Sequence, residues 1–176
     1  MLELLLKRRS IRRFKDKNVE QEKIHLIESA CLTAPSSKKR QPWEFVVVDD
    51  KVLLERLSEA REHGSRFLKG APLAFVVLAD PDKSDVWIED AVIAALLIQL
   101  ESEYVGLGSC WIQIRDRQGI SAETAEEHVQ SILGIPGNLK VECIIAVGYP
   151  DEHKPAYTFE DLLVHRVHHN QYGLKG

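Results

Sequence analysis

Residues 85–115 read D-V-W-I-E-D-A-V-I-A-A-L-L-I-Q-L-E-S-E-Y-V-G-L-G-S-C-W-I-Q-I-R. Up to Val105 there is neither glycine nor proline, and Ala91–Ile98 is apolar without a break. This predicts a long helix over Asp85–Val105, apolar nearly all round its centre and therefore buried on most sides. Gly106 can end that helix as a left-handed cap. Ser109–Arg115, rich in β-branched and aromatic residues, then reads as a strand. The pair Gly106–Gly108 invites a dinucleotide-turn reading, but the order is wrong. In that turn the glycines follow a strand and open a helix, whereas here they close a helix and precede a strand.

Three further runs read as strands: Trp43–Val48, Leu73–Ala79 and Val141–Tyr149. The last two are almost wholly apolar, as expected for strands covered on both faces. Helical spacing marks Leu2–Arg8, Val19–Leu32 and Asp50–Arg61, the last capped by Asp49 or Asp50. A fourth segment, Ser121–Leu133, has Ser121 as its expected cap and Gly134 at its end. Strands separated by helical segments indicate an α+β domain with three layers, helix, sheet and helix. The 176 residues suit a single domain. The polar, histidine-rich tail 151–176 lies beyond the last core strand and is expected to pack on something else, such as a second subunit.

Composition narrows the function. Charged residues are 28 % and hydrophobic residues 44 %, ordinary globular values. Lysine plus arginine is 23 against 27 acids, a net charge of −4. Such a chain is a poor overall partner for nucleic acid or an anionic membrane, so any basic site must be local. Cys31, Cys110 and Cys143 are odd in number and widely spaced. They predict reduced thiols rather than a disulfide framework or zinc site. No stretch is long enough to span a bilayer. The start M-L-E-L-L-L-K-R-R lacks signal-peptide order, and a cytoplasmic location is expected.

Lys7-Arg8-Arg9-Ser10-Ile11-Arg12-Arg13 places five cations around one hydroxyl. Paired guanidinium hydrogen bonds and a hydroxyl donor suit a phosphate. If the stretch is extended, Arg8, Ser10 and Arg12 point the same way. A second loop, Pro35-Ser36-Ser37-Lys38-Lys39-Arg40-Gln41-Pro42, leads straight into a strand and could meet a planar polar ligand. His165, His168 and His169 lack a nearby carboxylate or cysteine to complete a metal set. There is no G-x-S-x-G, P-loop or H-E-x-x-H. Anion-binding loops without an evident side-chain catalyst suit chemistry carried by a cofactor.

Together these motifs resemble the nitroreductase family of flavoproteins. The resemblance runs over nearly the whole chain. It rests on R-R-S-I-R-R-F, A-P-S-S-K-K-R-Q-P-W-E-F-V-V-V, the long apolar helix ending in G-L-G-S-C-W-I, and the late A-V-G-Y-P. It implies a three-layer α+β sandwich with a mixed central sheet, forming an intertwined homodimer with exchanged C-terminal tails and FMN at the interface. It implies that Arg8, Arg9, Ser10 and Arg12 hold the phosphate, the ribityl chain or the ring's pyrimidine edge. Pro35, Ser36, Ser37 and Lys39 would approach the ring from the partner subunit. Lys39 stands where the family often has asparagine. Trp111, Ile112 and Gln113 would lie along the ring. Arg166, with Lys154 as substitute, would be the late phosphate ligand. NAD(P)H would be the electron donor, and a nitroaromatic, quinone or similar small molecule the acceptor.

Overall fold

A computed structural model of the chain describes residues 1–120 and 122–174. The described residues form five α-helices: α1 (Leu2–Lys7), α2 (Gln21–Leu32), α3 (Lys51–Ser58), α4 (Trp87–Tyr104) and α5 (Ala125–Leu133). They surround β1 (Trp43–Val48), β2 (Leu73–Ala79), β3 (Gly108–Gln113) and β4 (Lys140–Gly148). The strands form one sheet in the order β1-β2-β4-β3.

Helices cover both faces of this sheet. On one face α3 and α5 bury Leu54, Leu57 and Val129 against Val76, Ile112, Ile144 and Ala146. On the other, α2 and α4 bury Ile24, Ile27, Ala91, Ala95 and Ile98 against Phe75, Val77, Ile145 and Val147. Central β2 is buried along its whole length, which accounts for its unbroken apolar run.

The expected mixed sheet is antiparallel in all three ladders. Among the described residues, parallel pairing occurs only at the isolated bridge between Ser10 and Ser109. The cause lies in β4. Both β2 and β3 run opposite to β4, so the α4 crossover makes β3 parallel to β2, as its helical connection suggests. The last strand then inserts between the two and leaves each of them with an antiparallel neighbour.

Capping follows the chemistry of the residues. Asp50 accepts the Leu53 N–H at 2.9 Å. Helix α5 starts later than its sequence suggests. Thr124 and Glu127 form a reciprocal capping box at its start, and the cap expected at Ser121 lies outside the described residues. Helix α4 ends in a Schellman motif: Leu107 N–H bonds to the Ser102 carbonyl and Gly106 N–H to that of Glu103. Gly106, at φ 80°, takes the left-handed position.

Helix α4 departs from expectation in its burial. Its inner face is sealed, but Val92, Ile93 and Leu96 are exposed, Leu96 by 45 %. The helix is apolar all round because its outer face is apolar too, and this chain alone does not cover it.

Candidate functional site

The segment after α1 runs extended along the free edge of β3. Ile11 N–H donates to the Ser109 carbonyl at 3.0 Å, and Ser10 bridges Ser109. This close approach depends on Gly108. A Cβ there would lie 2.7 Å from Ile11 Cγ1, 2.9 Å from Ile11 Cβ and 3.0 Å from Pro150 Cγ. Ile11 is buried and stiff at χ1, so it cannot swing clear. Gly108→Ala is therefore expected to cost about 1–3 kcal/mol by overpacking. Thermal unfolding should show a midpoint lowered by roughly 2–10 °C. Gly70→Ala, where nothing lies within 4 Å of the new Cβ, should leave the midpoint close to wild type.

Alternation along this segment sorts its charges. Arg8, Ser10 and Arg12 all act on the Cys110 thiol, as does Lys154. Burial pushes that thiol up; Arg12, the Ser10 hydroxyl, Lys154 and Arg8 pull the other way. Lys7, Arg9 and Ile11 face the opposite side and line a cleft of about 250 Å³ with Glu103, Pro150 and Lys154. The Arg9 guanidinium bonds to the Pro155 carbonyl and lies 4.4 Å from the centre of the Tyr157 ring. Alternation thus puts Arg8, Ser10 and Arg12 on one side of the segment, Lys154 reaches the Ser10 main chain from the cleft, and Arg9 is committed to the tail.

The beginning of the tail clasps this loop. Asp151 N–H donates to the Arg13 carbonyl and Tyr157 N–H to that of Leu6, both at 2.9 Å. Glu152 accepts backbone N–H groups of Arg12 and Arg13, and the first of these chiefly holds its carboxyl below the usual range. Lys154 donates to the Ser10 carbonyl and lies 3.6 Å from Glu152. Arg166 sits farther along, exposed at the end of a short 3₁₀ turn, Val164–Arg166.

Strand β3 adds a polar edge beside the cations. The Ser109 carbonyl points outward to Ile11. By the alternation of an antiparallel ladder, the backbone groups of Trp111 and Gln113 point outward too. The Gln113 carbonyl does so, accepting from the Arg61 guanidinium at 3.1 Å. Ile112 is different. Its backbone faces β4 and its side chain is 1 % exposed in the α3–α5 core, so the structure does not bring it to this edge.

The second loop lies elsewhere. Ser36 Oγ accepts the Gln41 N–H at 2.8 Å, and Ser37 N–H donates to Asp90 at 2.9 Å. Arg40 pairs with Asp85 at 2.7 Å. Lys38, Lys39 and Gln41 all have positive φ, at 49°, 57° and 47°. Three non-glycine residues in this region are costly and persist only where surroundings over-determine them. Here Asp90, buried on α4, does so by holding Ser37 and the Ser84 hydroxyl. Pro35, Ser36, Ser37 and Lys39 thus sit together in front of β1. Strands β1 and β3 are opposite edges of the sheet. Three inter-strand steps separate them, about 14 Å.

The nitroreductase family model matches residues 5–63 and 56–149. The chain belongs to the nitroreductase family. An FMN-dependent nitroreductase from Clostridium difficile R20291 superposes with a TM-score of 0.96 at 51 % identity, covering 98 % of this chain and 100 % of that one. An Archaeoglobus fulgidus protein with the provisional name NADH dehydrogenase/NAD(P)H nitroreductase is 36 % identical over 91 % of each chain. The iodotyrosine deiodinase of Thermotoga neapolitana is 26 % identical over 93 % of this chain and 96 % of its own.

Two residues of this nitroreductase-family site stand outside its recognisable motifs. Asp90 and Glu142 are both buried carboxylates, 3 % and 2 % exposed. Asp90 follows Glu89 and leads into an apolar run, E-D-A-V-I-A-A, and Glu142 is the one acid within V-E-C-I-I-A-V. A charge in such a place needs a partner, and that is a legible signal. The partners themselves, Ser37 and Ser84 for one and Gln113 and Arg115 for the other, come only from the fold.

Among the described residues no helix is long and apolar enough to cross a membrane.

Proposed function

We propose that this nitroreductase-family oxidoreductase binds FMN and passes electrons from NAD(P)H to a small acceptor such as a nitroaromatic or a quinone. The observation that carries the reading is a continuous surface. The cluster of Arg8, Ser10, Arg12 and Lys154 adjoins the outward backbone of β3 from Ser109 to Gln113. That edge is about 13 Å long. Its donor set fits a ligand with an anionic end and a planar, hydrogen-bonding body. The relative described as FMN-dependent supports the same cofactor.

Arg8, Ser10 and Lys154 would hold the phosphate and ribityl end. The backbone groups of Trp111 and the Gln113 N–H would meet the ring's polar edge, the Gln113 carbonyl being taken by Arg61. When bound, the flavin would supply the redox chemistry that links NAD(P)H to the acceptor. Arg12 would supply positive charge favouring an anionic form of the bound flavin.

The site is shared between two copies of the chain in this reading. The loop of Pro35, Ser36, Ser37 and Lys39 stands at the opposite sheet edge from Arg8 and Trp111, and a second subunit would bring it across. The exposed α4 residues Val92, Ile93 and Leu96 offer a face for that subunit. So do the apolar tail residues, among them Val164, Val167 and Tyr172. Exchange of the 151–176 tails would carry Arg166 toward the partner's phosphate. Three free, buried cysteines are compatible with a reducing compartment such as the cytoplasm.

Reductive dehalogenation on the same scaffold is the second reading, favoured by the likeness to the Thermotoga neapolitana deiodinase. One experiment addresses both. The purified protein should be yellow or take up FMN, and NADH oxidation should rise when a nitroaromatic or quinone is added. No flavin uptake would overturn the proposal. Flavin uptake with turnover only on a halophenol would favour the second reading. Flavin uptake without NADH consumption on any acceptor would indicate a binding module.

A further inference from the structure

Strand β4 carries an irregularity opposite Val77 and Leu78. Val77 pairs with Cys143, whereas Leu78 pairs with Val141, and Glu142 is left between them. This bulge takes Glu142 out of the ladder to β2. Its carboxylate turns toward the end of β3, where Oε1 lies 3.2 Å from Gln113 Nε2 and Oε2 2.6 Å from Arg115 Nε.

The hydrogen bonds of this group have one polarity. The indole of Trp111 can only donate, and it donates to Gln113 Oε1 at 2.9 Å. The Gln113 amide is thereby oriented, with its NH₂ toward Glu142 and the carbonyls of Glu142 and Arg115, at 3.3 and 3.2 Å. Its main-chain carbonyl is taken by Arg61. Gln113 is held from β3, from β4 and from the loop after α3 at once. Glu142 is 2 % exposed and completes the set. Burying a carboxylate is costly, and an apolar residue of similar size commonly serves stability as well or better. A charge retained among the buried residues of β4 therefore points to orientation rather than to stability.

We propose that Glu142 is a positioning residue: through Gln113 it sets the orientation of Trp111 at the edge of β3 that faces the flavin. The proposal rests on the flavin reading above. It predicts that Glu142→Gln perturbs flavin binding without unfolding the chain. A glutamine at 142 brings one donor and one acceptor to a place where two donors converge, so it cannot satisfy both Gln113 and Arg115.

The test is a double-mutant cycle in the full chain, read by FMN titration and by tryptophan emission of the flavin-free protein. E142Q should weaken FMN binding about tenfold, the size of one lost hydrogen bond to a charged group. Q113A and the E142Q/Q113A double variant should bind FMN alike, because Glu142 acts through Gln113. In the flavin-free protein E142Q should shift the emission, and the shift should vanish in a W111F background. FMN affinity of E142Q within about threefold of wild type, or losses that add in the cycle, would overturn the proposal. If E142Q does not fold, E142D enters the same cycle, since it keeps the charge but is too short to reach both partners. If the wild-type protein takes up no FMN, the flavin reading falls, and the emission measurement alone decides whether Glu142 orients Trp111.

Discussion

Replacing Arg8 and Arg12 together by alanine is expected to give a folded, colourless protein. By the period of an extended chain Arg8 and Arg12 fall on one side of the segment, with Ser10 between them, and all three pull against the upward shift of the buried Cys110 thiol. Among the described residues neither pairs with a carboxylate: Arg12 lies 5.9 Å from the centre of the Phe67 ring, and the negative charge of Glu152 is directed at the backbone N–H groups of Arg12 and Arg13. A charge-assisted hydrogen bond, from Arg8 to the phosphate or from Arg12 to the polar edge of the ring, contributes about 1.5–3 kcal/mol, so losing both should weaken FMN by roughly 10²–10⁴-fold. Equilibrium titration of the flavin-free protein measures this directly. Binding should also weaken with added salt in the wild type, and less so in the double variant. Arg9→Ala is the internal contrast. That side chain is committed to the Pro155 carbonyl and the Tyr157 ring, so its removal should loosen the tail more than the flavin. Affinity of R8A/R12A within about threefold of wild type would refute the assignment of these two guanidiniums to the flavin.

Placing a carboxylate on the outer face of α4, as in Leu96→Glu, is expected to abolish self-association and flavin binding together. Leu96 is exposed with Val92 and Ile93 on a helix whose opposite face is fully sealed. In a dimer those side chains would be covered. A lone carboxylate buried there would cost several kcal/mol. In the free chain the substitution is at the surface and should hardly alter folding. Sedimentation should then report a monomer with a wild-type circular dichroism spectrum. Loss of FMN is the more informative part. The loop of Pro35, Ser36, Ser37 and Lys39 and the edge of Trp111 and Gln113 belong to opposite sides of one sheet. A site that uses both needs two chains. A monomeric variant that keeps full flavin affinity would show that the second loop is not part of the site.

Much of this molecule was legible in its residues. Strands β1 and β2 run over the residues their composition marks, Trp43–Val48 and Leu73–Ala79, because β-branched and aromatic runs between turn residues have few other solutions. The charge alternation of Arg8, Ser10 and Arg12 follows from the period of an extended chain. The order of Gly106 and Gly108, after a helix and before a strand, excluded a dinucleotide turn. It also suited the Schellman cap now seen at Gly106.

Other features required the third dimension. Nothing local records that β4 inserts between β2 and β3, because strand order is decided by long-range pairing and not by any one segment. An apolar outer face on α4 and an apolar inner face look alike in the sequence, since hydrophobicity has no direction until the sheet occupies one side. The partners of Glu142 come from residues 27 and 29 positions away, brought together by a bulge that shifts one residue out of register. The residues alone named the chemistry present: cations around a hydroxyl that suit an anion, a second polar loop leading into a strand, and no evident side-chain catalyst. Tertiary structure alone decided which of these groups meet, because hydrogen bonds and charge pairs act over a few ångströms of space and take no account of distance along the chain.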